Sequence, residues 1–149
     1  MRHKRVRLTL AILEAFVALT AIGCGLGLEV GAIQFPLAWL AGTPFSDYAL
    51  PGLLMAVIVG GSSLLATATI FTEGEAGVLV SIFAGLLLLG FEFVEATSID
   101  PNLGYGMLLA LVFQMAYSAI ALVIVGLAVS LWMREYRRHH FPTGHLRHA

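Results

Sequence analysis

The sequence predicts an all-α, polytopic membrane protein: a four-transmembrane-helix bundle with N and C termini cytoplasmic. Three observations carry that prediction. Hydrophobic residues make up 59% of the 149 and charged residues only 11%, against roughly 25% charged in an ordinary soluble domain. Four apolar stretches, at about 8–28, 50–71, 76–95 and 106–133, are each long enough to cross a hydrocarbon core of about 30 Å at about 1.5 Å per residue. All eight Lys and Arg residues lie in the tails, 1–7 and 134–149, and none in the connections. So apolar a composition excludes a soluble domain, a disordered chain and a protein that binds nucleic acid through a basic face. Helices are required because lipid offers no partner to an unpaired backbone group. A barrel needs alternating strands, and these runs do not alternate. Residues 1–149 therefore read as a single transmembrane domain.

Arg2, Lys4, Arg5 and Arg7 precede the first span; Arg134, Arg137, Arg138 and Arg147 follow the last. The positive-inside rule then puts both tails in the cytoplasm, which an even number of spans satisfies. The basic start and apolar run also have the form of a secretory signal, and Ala21-Ile22-Gly23-Cys24 loosely resembles a lipoprotein cleavage box. The run exceeds a typical signal core and Glu14 interrupts it, so it reads as an uncleaved span. The connection 29–49 places Phe35, Trp39, Phe45 and Tyr48 among Pro36, Pro44 and Pro51, too many prolines for a continuous helix. It is expected to lie on the outer leaflet with its aromatics in the interfacial belt, or to cap a cavity between the helices. Thr72-Glu73-Gly74-Glu75 is expected to be a tight inner turn, and Asp100-Pro101-Asn102 an outer one.

Small residues recur every four positions: Gly23, Gly27 and Gly31 in the first span, Gly52, Ala56 and Gly60 in the second, Gly77, Ser81 and Gly85 in the third. Such ridges let helix backbones approach closely, within one bundle or at a homo-oligomer seam.

A charge at the bilayer centre costs at least about 2.5–3.5 kcal/mol, so each intramembrane carboxylate is a functional hypothesis. Glu14 lies seven residues beyond Arg7, about 10 Å along the helix, with Ala18, Ala21 and Gly25 on its face. It is the candidate proton or cation site. Glu92, Gln114, Tyr117 and Ser118 share a similar depth near the outer side, and Glu29 can join them in an outer polar cluster. In a structural reading each carboxylate is protonated or hydrogen-bonded and fixes helix register. In a functional reading Glu14 and Glu92 mark a cation or proton path between the helices.

No catalytic residue, metal ligand set or cofactor site is predicted. No span contains a histidine; His3, His139, His140, His145 and His148 all lie in the tails. Cys24 is the only cysteine, so no internal disulfide or redox pair exists. No phosphate-binding glycine loop is present.

Gly42-Thr43-Pro44-Phe45-Ser46-Asp47-Tyr48, then Pro51-Gly52, resembles a segment of small bacterial four-span membrane proteins to which no activity is assigned. Leu13-Glu14-Ala15-Phe16 and Gly60-Gly61-Ser62 are similar too. That resemblance implies four helices and a multi-pass protein of a bacterial inner (plasma) membrane. Physically, Thr43-Pro44 and Ser46-Asp47 suit capping and turning, and Pro51 suits a first helical turn. Glu14 alone carries a similarity to small multidrug resistance transporters, whose first-span carboxylate exchanges protons for cationic drugs. Those proteins have minimal loops and weak orientation bias, unlike this chain.

Three functions follow as expectations: a non-enzymatic accessory or interaction subunit, a proton-coupled carrier of cationic or amphiphilic solutes using Glu14, and a membrane-embedded lipid-modifying enzyme. Expected partners are the lipid bilayer and a membrane protein or second copy, with no nucleic acid. A carrier requires a water-accessible Glu14. A subunit requires a dry, packed one. An enzyme requires a lipid-open cleft lined by Glu92, Gln114 and Tyr117 beneath the first loop.

Overall fold

The computed structural model describes residues 2–41, 43–72, 74–98 and 105–136. Glu73, the Asp100-Pro101-Asn102 turn, Gly42, and the tail bearing Arg137, Arg138, Arg147 and four histidines lie outside the described residues. The described residues form four long helices and no strand: α1 (Arg2–Glu29), α2 (Ala49–Thr69), α3 (Glu75–Ser98) and α4 (Tyr105–Glu135). All four are long and apolar enough to cross a membrane.

α1, α3 and α4 exceed their predicted spans by a few residues, and α2 ends two residues short of its own, at Thr69. The charged flanks end the apolar run without ending the hydrogen-bonded ladder, so α1 begins at Arg2. Gly31 follows α1 with φ +71, a left-handed conformation that disfavours a side chain, and turns the chain out of the helix. Asp47 Oδ1 accepts the Ala49 N–H at 3.0 Å and starts α2, and Pro51 sits in its first turn. Inside α2, Met55–Gly60 winds as a π-helix, which apolar spacing did not foretell.

Successive helices are antiparallel neighbours around one core that includes Leu10, Val17, Val59, Val78, Ile124 and Leu131. In lipid, apolar side chains gain little by leaving their surroundings, so close van der Waals contact holds such a bundle. The α1–α2 seam shows this. A Cβ on Gly25 would lie 2.4 Å from Gly52 O and 2.7 Å from Ala56 Cβ, and one on Gly60 would lie 2.5 Å from Ile22 Cγ1. Gly52, Ala56 and Gly60 thus occupy the seam as expected. In α1 the seam glycine is Gly25. Gly23 is exposed with open space about it, and Gly27 is covered by Ile33 of its own connection. As packing within the bundle, the expected Gly23–Gly27–Gly31 ridge is therefore corrected: it lies off the α1–α2 contact face. Gly77 packs against the Thr69 carbonyl of α2, and Gly85 against Val125 and Ile124 of α4.

At the end where α1 begins, polar groups tie the bundle together. Arg7 donates to Ile70 O at 2.6 Å, Thr72 O at 3.1 Å, Glu135 Oε2 at 2.7 Å and the Tyr136 hydroxyl at 3.2 Å. His3 Nδ1 lies 2.7 Å from Glu135 Oε1, and Trp132 Nε1 donates to Glu75 Oε1 at 2.6 Å. One guanidinium thereby joins α1, the α2–α3 turn and α4.

Candidate functional site

Glu14 stands on the buried face of α1 with Ala18, Ala21 and Gly25, and is 0% exposed. Ser81 of α3 lies beside its carboxyl across the bundle. The Ser81 hydroxyl, however, donates to Gly77 O at 3.2 Å. By distance and angle, neither carboxyl oxygen of Glu14 has a hydrogen-bond partner among the described residues. The group is enclosed by the packing of the described residues.

The outer cluster assembles in part. Glu92 (α3), Gln114 and Ser118 (α4) line a groove of about 490 Å³ together with Leu89, Gly90, Phe93 and Ala96. Gln114 Nε2 donates to the Glu92 backbone carbonyl at 3.1 Å, which holds the two helices in register there. Glu92 is 7% exposed, and its Oε2 is buried without a partner. Two expected members stand elsewhere. The Tyr117 ring stacks on Phe16 of α1 with centroids 6.3 Å apart, one residue and about 100° round α4 from Ser118. Glu29 is exposed at the end of α1 and is not among the groove-lining residues.

The first connection packs on itself. Phe35 stacks on Trp39 at 5.5 Å and meets Tyr48 edge-on at 5.7 Å, while the Tyr48 hydroxyl donates to Pro36 O at 3.0 Å. Burial, and then the charge of Glu95, push the Tyr48 phenol above its ordinary pKa, so it stays a donor. The groove lining comes from α3 and α4 and includes no residue of this connection. Among the described residues no three His, Cys, Asp or Glu side chains gather as a metal site, and Cys24 is free and exposed.

Sequence reasoning missed the Arg7 cluster. Arg7 was read as an orientation charge; its position one helical turn before the apolar core, opposite Glu135 at the far end of the chain, was the available signal. No family model matches this sequence, and neither the curated proteins nor the solved structures give a match.

Proposed function

We propose that this chain is a non-enzymatic integral membrane protein that serves as an accessory or interaction subunit. One observation carries the reading: Glu14, the carboxyl a proton-coupled carrier would use, is wholly enclosed. Proton exchange needs access from at least one side, and a packed core resists opening because interiors are close-packed. The clustering of all eight basic residues in the two tails supports cytoplasmic termini; a bacterial inner membrane is what the resemblance of the 42–52 segment implies.

The test is proton release from purified protein in detergent on adding a panel of hydrophobic cations, wild type against Glu14→Gln. A subunit gives no release that depends on Glu14. Release that disappears in Glu14→Gln makes Glu14 a coupling site and overturns the proposal in favour of a carrier.

A further inference from the structure

We propose that the α3–α4 groove is a binding site for an amphiphile with a primary ammonium head, its nitrogen seated against Glu92 and its alkyl chain against Leu89, Gly90 and Phe93. This goes beyond the subunit reading and does not depend on Glu14.

The chemistry of the lining selects the head. Glu92 brings a carboxyl more than nine-tenths buried, one oxygen of which is closed off and has no partner among the described residues. Leaving such an acceptor unmade costs about 1–3 kcal/mol, and more if it is charged. Gln114 has spent a donor on the Glu92 carbonyl, which leaves its Oε1 as an acceptor. Ser118 adds a hydroxyl. The site offers carboxyl, amide and hydroxyl oxygens as acceptors, beside the second N–H of Gln114 and the Ser118 O–H as donors. An ammonium group, with three donors and no acceptor, complements it, and a charge-assisted bond to a carboxylate is among the stronger hydrogen bonds.

The size selects a small molecule over a partner helix. The groove is open on one side and lined by residues of two helices only. On α3 the lining runs from Leu89 to Ala96, about 10 Å of helix, whereas a transmembrane partner would lie along about 30 Å. Glu92 stands six residues before the end of α3 at Ser98, about 9 Å in. That depth places a polar head near the membrane surface and its chain in the apolar layer.

The test is isothermal titration of the full-length protein, in nonionic detergent, with dodecylammonium chloride. We expect saturable one-to-one binding, weakened at least tenfold in Glu92→Gln. Dodecyltrimethylammonium keeps the charge and tail but has no N–H donor, and should bind at least fivefold more weakly. Gly90→Leu is the second variant: a Cβ at Gly90 meets nothing within 4 Å, so the added side chain fits, fills the groove and blocks binding. It carries the test if Glu92→Gln fails to fold. Glu14→Gln should bind as wild type does. No saturable heat from wild type, or equal affinity across wild type, Glu92→Gln and Gly90→Leu, overturns the inference and leaves the subunit reading untouched. Loss of binding in Glu14→Gln alone contradicts both. Repeating the titration in phosphatidylcholine nanodiscs with and without phosphatidylethanolamine identifies the source. Competition by phosphatidylethanolamine marks a lipid headgroup as the occupant, and undiminished binding marks a free amine.

Discussion

Replacing Gly25 with alanine should destabilise the bundle far more than the same change at Gly23, two residues away. A methyl at Gly25 would stand 2.4 Å from Gly52 O, 2.7 Å from Ala56 Cβ and 3.0 Å from Ala56 N. Ordinary carbon contacts lie at about 3.5–4.0 Å, so α1 and α2 must separate by about 1 Å. The obstructing atoms are backbone and Cβ, which no rotamer change can move. Overpacking of this kind costs about 1–3 kcal/mol, and the rigidity of the obstruction argues for the upper part of that range. The gain in helix propensity from Gly to Ala, about 0.8–1.0 kcal/mol, offsets part of it. The net expectation for Gly25→Ala is a loss of about 2 kcal/mol, roughly thirtyfold in the folding equilibrium. At Gly23 a methyl meets nothing within 4 Å, so only the propensity gain remains, from zero to about 1 kcal/mol in favour of folding. Reversible unfolding in mixed dodecylmaltoside and dodecylsulfate micelles, followed by circular dichroism, measures both. Equal effects of the two substitutions would refute the seam described here.

Three further outcomes are expected. Gly85→Ala brings its methyl to 2.7 Å from Val125 Cγ2, a movable side-chain end; the cost should be about 1 kcal/mol, the lower part of the overpacking range, and Val125→Ala should rescue it in a double-mutant cycle. Arg7→Ala removes four hydrogen bonds joining α1, the α2–α3 turn and the end of α4 and should cost about 2–3 kcal/mol, with Arg7→Lys recovering only part, since an ammonium cannot reproduce the planar fork. Glu14→Met removes two oxygens that have no partner among the described residues; stability should be unchanged or rise by about 1–3 kcal/mol in the same micelle assay, and a marked loss would mean that the carboxyl has a partner.

What the sequence made legible follows from which forces act locally. Span number, span position and the breaks between spans depend on runs of apolar residues and on Pro and Gly, and these were read to within a few residues. The buried face of α1 was legible through Glu14, because a carboxyl in a span turns inward and takes Ala18, Ala21 and Gly25 with it. That same geometry argues against a ridge at Gly23, which lies about 200° round the helix from Gly25. The four-residue glycine spacing is therefore a weaker guide than the helix's own angular arithmetic. The π-segment of α2 left no mark in hydropathy, since it alters the ladder without altering which residues are apolar. The outer cluster was half legible. Depth along the spans brought Glu92, Gln114 and Ser118 to one level, but depth does not fix rotation, and rotation sends Tyr117 to Phe16 instead. The Arg7–Glu135 pairing joins the two ends of the chain, a long-range choice that no local pattern specifies.

The reading of this protein turns on whether water reaches Glu14. The direct measurement is thiol accessibility at that position: Glu14→Cys in a Cys24→Ser background, which removes the one native, exposed thiol. Labelling in native membranes would use a small membrane-permeant maleimide, with Glu29→Cys at the exposed end of α1, in the same Cys24→Ser background, as the reactive control. An enclosed side chain predicts no labelling until the bundle is unfolded in dodecylsulfate. Rapid labelling of the folded protein would show an open route to the core and contradict the subunit assignment.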